Sequence, residues 1–245
     1  MGKYDGILLC SDLDGTMVDS NGVISKGNID AIEYFKENGG RFSLCTGRSP
    51  QYAKRLEGKG VICNAPIVAL NGAMIYDLQK DKKLYENPIA LERMKDIDSF
   101  VRENKRHYDI VHFHSKKDVE SYDQIEDGIL YKIVFSCKSV EDAKEIRSKL
   151  EKKYTDRFLV VNSWNVGIEI LDEKSTKGEC VLKMKKLLDF DKIVCVGDYE
   201  NDISMLLNAD ISYAVANAIP EAKKAATKVT VSNNENALAA IISEL

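Results

Sequence analysis

Apolar residues along this chain of 245 residues come in short continuous runs that alternate with helix-periodic stretches, and the runs stop abruptly at polar residues. The first, Ile7-Leu8-Leu9-Cys10, ends in Ser11-Asp12-Leu13-Asp14-Gly15-Thr16, which predicts a buried strand opening into a polar loop. A helix is predicted from about Lys26 to Asn38, with Ile29, Ile32 and Phe35 on one face and Gly39-Gly40 as its stop. Arg41 to Cys45 reads as a second strand running into Thr46-Gly47-Arg48, followed by a helix from about Pro50 to Glu57. Ala65 to Leu70 is a third short strand ending in Asn71-Gly72, and Ala73 to Tyr76 with Lys83 to Glu86 forms a small hairpin. Strands alternating with helices predict a parallel sheet covered by helices on both faces.

The pattern changes near Asn87-Pro88 and changes back near Glu173-Lys174. Between these points the spacing predicts a helix (Leu91 to Lys105), strands at Ile110 to His114 and Gly128 to Cys137, and a second helix (Val140 to Tyr154). A hairpin follows: Phe158 to Ser163, a turn at Trp164-Asn165, and Val166 to Leu171. Beyond it the alternation returns, with helices at Thr176 to Leu188, Asn201 to Asn208, around Glu221 and from Glu235, and strands at Lys192 to Val196, Ile211 to Ala216 and Lys228 to Val231. The expected fold class is α/β: a doubly wound, Rossmann-like parallel-sheet core, residues 1–86 and 173–245, split by an inserted α+β domain of order αββαββ, residues 87–172.

Composition narrows the classes open to such a chain. Charged residues make up 30% and apolar ones 44%, an ordinary globular balance. A formal net charge of -4 gives no broad attraction to nucleic acid or anionic membranes, so neither is an expected partner and any anionic ligand must be held locally. No apolar stretch approaches a membrane span, and the start Met1-Gly2-Lys3-Tyr4-Asp5 lacks the apolar region of a secretory signal, so a cytoplasmic location is expected. The 6 cysteines are scattered without a Cys-x-x-Cys pair and read as buried reduced thiols.

Asp12 and Asp14 sit at the carboxyl end of a parallel strand, where open α/β sheets bind ligands. Strand alternation would place both carboxylates on one face, about 7 Å apart, and such a pair repels itself unless a cation or a shared proton relieves it. A second apolar strand runs into Gly197-Asp198-Tyr199-Glu200-Asn201-Asp202, and two acid-tipped strands suggest one metal. Thr46 offers a hydroxyl at a strand end and Lys177 a charge at a helix start, a natural phosphate cradle. Each motif alone has a plainer reading: a solvated turn for Asp-x-Asp, a helix cap for Thr46 or Asp198, a surface lysine for Lys177. His112 and His114 share a strand face but have no third ligand in view, and Trp164 marks a hairpin tip.

Taken in order, Asp12-x-Asp14-Gly15-Thr16, Thr46-Gly47-Arg48, Lys177-Gly178 and Gly197-Asp198-x-x-Asn201-Asp202 resemble the haloacid dehalogenase (HAD) superfamily, and more narrowly its Cof-like sugar phosphatases, whose cap is inserted between the second and third motifs. The resemblance covers essentially the whole chain. It implies an Mg²⁺-dependent phosphomonoester hydrolase of small soluble phosphates, sugar phosphates foremost, working through an aspartyl-phosphate. Asp12 would be the nucleophile and Asp14 the general acid, then base; Asp12, Asp198 and the backbone carbonyl of Asp14 would ligate Mg²⁺. Thr46 and Lys177 would hold phosphate, Asn201 would bond phosphate or a metal-bound water, Asp202 would orient Lys177 or a water, and Gly47, Arg48 and Asn71 are candidate substrate contacts. A phosphotransferase or phosphomutase, or a non-catalytic phosphometabolite-binding protein, are the alternatives.

Overall fold

The computed structural model describes residues 2–115, 118–125, 128–154 and 157–245, with only the backbone of residues 91 and 94–96 described. The chain forms two compact units, one from Met1–Tyr85 and Thr176–Leu245, the other from Glu86–Ser175.

The first unit opens with β1 (Ile7–Ser11), in which Leu8, Leu9 and Cys10 are fully buried. Helix α1 (Lys26–Glu37) begins at Ser25, whose side chain accepts from the Asn28 amide, and buries Ile32 and Phe35. Then come β2 (Arg41–Leu44), α2 (Pro50–Arg55), β3 (Ile67–Ala69), β4 (Met74–Asp77) and β5 (Lys82–Glu86). The expected third strand does not extend the parallel sheet at full length. It touches that sheet through a single parallel bridge, Cys45 to Val68, and belongs instead to a three-stranded sheet of order β3-β4-β5. The reason is its brevity: the chain turns at Leu70 and returns as β4.

The second unit contains α3 (Met94–Glu103), β6 (Tyr108–His114), β7 (Asp118–Val119), β8 (Lys132–Cys137), α4 (Val140–Tyr154), β9 (Phe158–Trp164) and β10 (Gly167–Asp172). Its sheet has the order β7-β6-β8-β10-β9, with antiparallel pairing. Residues of α3 and α4, including Ile97, Phe100, Ile146 and Leu150, share one core with Phe113, Ile133, Phe135, Ile168 and Ile170 of the sheet. Burying each such side chain contributes about 1.5–3 kcal/mol. The expected order holds with one addition, the two-residue β7, and with Trp164 inside β9 rather than in the turn.

The chain then completes the first unit with α5 (Lys177–Leu188), β11 (Lys192–Gly197), α6 (Ile203–Asn208), β12 (Ile211–Ala214), α7 (Pro220–Ala225), β13 (Lys228–Val229) and α8 (Ala237–Glu244). The main sheet is parallel throughout, in the order β13-β12-β11-β1-β2. Strand β1 lies between β2 and β11, so the direction of winding reverses there, which is where such sheets open a binding crevice. The apolar runs were continuous because these strands are covered on both faces. All six cysteines are buried free thiols, and no described helix is long and apolar enough to cross a membrane.

Candidate active site

The carboxyl ends of β1, β2 and β11 and the amino end of α5 bring most of the expected residues together. Asp12 follows β1, its amide donating to the Val196 carbonyl at 2.9 Å. Thr176 starts α5 by accepting from the Glu179 amide, which sets Lys177 at the first helical position with its side chain wholly buried. The Lys177 ammonium donates to Asp12 Oδ1 and to Asp202 Oδ1, both at 2.6 Å. Asp202 Oδ2 in turn accepts from the backbone amides of Asp198 at 2.9 Å and Tyr199 at 3.1 Å. Both oxygens of Asp202 are thus committed, one to the lysine and one to the loop that carries Asp198.

Asp12, Asp198 and Asp202 each offer an oxygen within 4.8 Å of the others. Three carboxylates face one ammonium, and the electrostatics show the surplus. Burial, then repulsion from Asp202, pushes the Asp12 carboxyl well above the usual range despite Lys177. The same two causes push Asp198 up to about 7, against the hydrogen bond from Thr16. Burial pulls the Lys177 ammonium down, but Asp12 and Asp202 outweigh it and hold it above its ordinary value. A buried donor set of hard oxygens with excess negative charge fits a divalent cation of the magnesium or calcium type.

Asp14 stands apart. The strand ends at Ser11, so alternation does not carry through to Asp14. The Leu13 carbonyl accepts from the amides of Met17 and Val18 in a tight turn. Leu13 is buried, whereas the Asp14 side chain is 49% exposed and forms a bidentate pair with Arg48, at 2.9 and 3.0 Å. Arg48 also lies over the Tyr52 ring at 4.8 Å. The Asp14 carboxylate therefore lies outside the three-carboxylate cluster. Gly15, at φ 85°, brings the backbone so close that a Cβ would sit 2.5 Å from Asp198 Oδ2.

Thr46 is fully buried, and its Oγ1 accepts from the Arg48 amide at 3.1 Å, holding the loop that carries Gly47. The Thr46 carbonyl accepts from the Asn71 amide at 3.1 Å. Asn71 is buried and left-handed (φ 55°, ψ 32°), and its Oδ1 accepts from Asn201 Nδ2 at 3.0 Å. Arg48 and Asn71, expected beside substrate, thus engage Asp14 and Asn201. Leu70 and Gly72 also have positive φ, 52° and 101°. A left-handed leucine costs roughly 1–2 kcal/mol.

Two residues assigned no role from sequence help build the site. Thr16 Oγ1 donates to Asp198 Oδ1 at 2.8 Å, and the Asn217 side-chain Nδ2 donates to the Gly15 carbonyl at 2.8 Å. Thr16 could have been found as the last residue of the Asp-x-Asp-Gly-Thr run. Asn217 follows β12 with no local signal, because only the sheet order brings it to the β1 loop. His112 and His114 lie in the second unit, 6.2 Å apart between ring centroids.

The profile of the haloacid dehalogenase-like hydrolases matches residues 9–117 and 109–242. The 5-amino-6-(5-phospho-D-ribitylamino)uracil phosphatase YwtE of Bacillus subtilis is 29% identical over 279 residues, covering 96% of this chain and 96% of its own. The phosphoglycolate phosphatase of Sulfurisphaera tokodaii is 28% identical over 220 residues, covering 88% of this chain and 84% of its own. A solved haloacid dehalogenase-like hydrolase from B. subtilis shares the fold with a TM-score of 0.87 at 21% identity, over 97% of this chain and 99% of that one.

Proposed function

The chain belongs to the haloacid dehalogenase-like hydrolase family, and from that premise we propose that it is an Mg²⁺-dependent phosphomonoester hydrolase of small phosphate esters, sugar phosphates foremost. The observation that carries the reading is the cluster of Asp12, Asp198 and Asp202 at the strand ends, two of them bonded to the buried Lys177. Asp12 and Asp198, with the Asp14 backbone carbonyl that the family uses, would hold the cation. When bound, it would neutralise charge on the phosphoryl oxygens and so lower their repulsion of Asp12.

Asp12 attacks phosphorus, the ester oxygen departs with a proton from Asp14, and an aspartyl-phosphate remains on Asp12. Water then attacks that phosphorus while Asp14 takes its proton, which frees phosphate and restores both carboxyl groups. Lys177 keeps the Asp12 carboxylate aimed and offsets its charge, and Thr46 fixes the loop beside it. Asp14 can exchange a proton with the ester only after its pair with Arg48 opens. The polyol phosphate in the name of YwtE supports a sugar-like leaving group.

The test is release of inorganic phosphate from a panel of sugar, polyol and nucleotide phosphates, with and without Mg²⁺, beside the Asp12→Asn protein. Metal-dependent release that is lost in the variant is expected. Turnover at the wild-type rate by folded Asp12→Asn protein refutes the mechanism, and transfer of phosphate to a second sugar in place of water would identify a phosphotransferase.

A further inference from the structure

The segment Leu70-Asn71-Gly72 holds three successive residues at positive φ, two of them not glycine. Outliers of this kind persist where the surroundings fix them, and they cluster where a side chain must be aimed. The surroundings here are tight. A Cβ on Gly72 would meet the Thr176 backbone at 2.3 Å, and the Gly72 carbonyl accepts from the Cys180 thiol at 3.1 Å. The segment is therefore pinned under the start of α5, which carries Lys177.

The turn aims the side chain of Asn71. Its Oδ1 takes the Nδ2 group of Asn201, while the Asn71 amide donates to the Thr46 carbonyl. One buried residue thus joins the loop after β2 to the loop after β11. An independent observation lies on the far side of that bond: Asn201 Oδ1 is buried and has no partner among the described residues. A buried carbonyl oxygen left without a donor is rare, and each instance calls for an explanation such as a missing ligand. With one N–H of its amino group given to Asn71, the atom of Asn201 that stays buried without a partner is an acceptor. An acceptor suits a hydroxyl group, not an ionised phosphate oxygen.

We propose that Asn71 is a positioning residue for the phosphatase reaction, which orients the Asn201 amide so that its oxygen accepts a hydrogen bond from a hydroxyl of the bound ester. The inference rests on the reading of the site as a phosphatase, and it gives Asn201 a different partner from the phosphate or metal-bound water expected from sequence. It also explains why asparagine occupies the middle of the turn: it tolerates the left-handed region and carries an acceptor on a short stem.

The test uses the whole chain. Asn71→Gly keeps the left-handed backbone and removes the acceptor, Asn71→Asp keeps both, and Asn201→Ala removes the residue acted upon. Loss of a positioning partner typically lowers activity about 10- to 100-fold. The expected results are a loss of that size in kcat/KM for Asn71→Gly, and a double variant within about twofold of Asn201→Ala alone. A product of the two separate losses in the double variant would overturn the proposal. A second readout needs no turnover: the side-chain amide signal of Asn201 in ¹H–¹⁵N spectra, identified by its absence in Asn201→Ala. It should shift in Asn71→Gly and stay near its wild-type position in Asn71→Asp. An unmoved signal in folded Asn71→Gly protein overturns the proposal whether or not any ester is hydrolysed, so failure of the phosphatase reading is distinguished from failure of this one.

Discussion

Replacing Lys177 by methionine keeps most of the side-chain volume and removes the ammonium that, among the described residues, bonds Asp12 and Asp202, at 2.6 Å each. The Lys177 side chain is wholly buried and those of its partners are 7% and 1% exposed, so solvent screens this network little. Removing one partner of a buried pair costs about 3–5 kcal/mol, because the remaining charge stays buried without compensation. For a chain of this size that is roughly 6–20 °C in the melting temperature of the first unit. The loss should depend on pH. Without the ammonium, the folded-state value of Asp12, already raised by burial, rises further above its unfolded value. A group raised in the folded state lends its stability below its unfolded value and loses it as pH climbs through the folded one. The variant should therefore lose more, relative to wild type, at pH 8 than at pH 5. Trp164 lies in the second unit, so its fluorescence is a poor probe. Urea unfolding by far-UV circular dichroism, with hydrogen exchange of peptides from β1 and β11, reads the right part of the molecule, with a chelator present throughout. A loss below about 1 kcal/mol, or an equal loss at both pH values, would refute the reasoning.

Saturating Mg²⁺ should stabilise the wild-type protein by about 2.7 kcal/mol at a hundredfold excess over its dissociation constant, and Asp198→Asn should abolish most of that gain; an equal shift in both by calorimetry would remove Asp198 from the cation site. Gly15→Ala should destabilise by about 1–3 kcal/mol and weaken Mg²⁺ binding, since its Cβ would meet Asp198 Oδ2 at 2.5 Å with φ at 85°; a variant that binds Mg²⁺ as tightly as wild type in titration calorimetry contradicts this. Burial pushes the Asp210 carboxyl up, but Lys185 and the Ile193 amide outweigh it and hold it below the usual range. That contribution is present above the unfolded value near 4 and fades as pH falls through the lower folded value. Because the Asp210 side chain is 40% exposed, Asp210→Asn should cost only about 0.5–1 kcal/mol at pH 7 and nothing at pH 2 in urea titrations; a cost that persists at pH 2 would show that the charge is not its source.

The main sheet was legible because its strands are buried on both faces and therefore appear as unbroken apolar runs. Their ends were legible because Asp12, Thr46 and Asp198 follow those runs directly. What the sequence did not show depends on contacts between distant segments. Strand β3 looks like any other buried strand, yet a three-residue element followed at once by the Leu70 turn pairs with β4 instead. Asn71 and Gly72 signal a turn, but nothing about Leu70 announces a left-handed residue; the pinning of the turn beneath Thr176 imposes it. The pair of Asp14 with Arg48 spans 34 positions, and the bond from Asn217 to Gly15 spans 202. Charge and hydrogen-bonding capacity can be read from single residues, whereas partners follow only from the fold.

The charge balance of the site narrows the place of the cation further than the cluster alone does. A buried group of three carboxylates and one ammonium is a poor device for stability, since well-packed apolar side chains of similar volume are often as good or better. Asp202 completes the cluster geometrically, but its oxygens are taken by Lys177 and by the amides of Asp198 and Tyr199. Lys177 likewise holds Asp12 Oδ1, and Thr16 holds Asp198 Oδ1. Asp12 and Asp198 are the two carboxyls of the cluster that burial raises above their ordinary range. With one oxygen of each fixed by Lys177 and Thr16, Asp12 and Asp198 would suit a small divalent ion, which favours few protein carboxylates and keeps water among its ligands. In this arrangement Asp202 acts through Lys177 and the Asp198 loop, and the same hydrogen bonds that leave it no free oxygen keep the other two aimed.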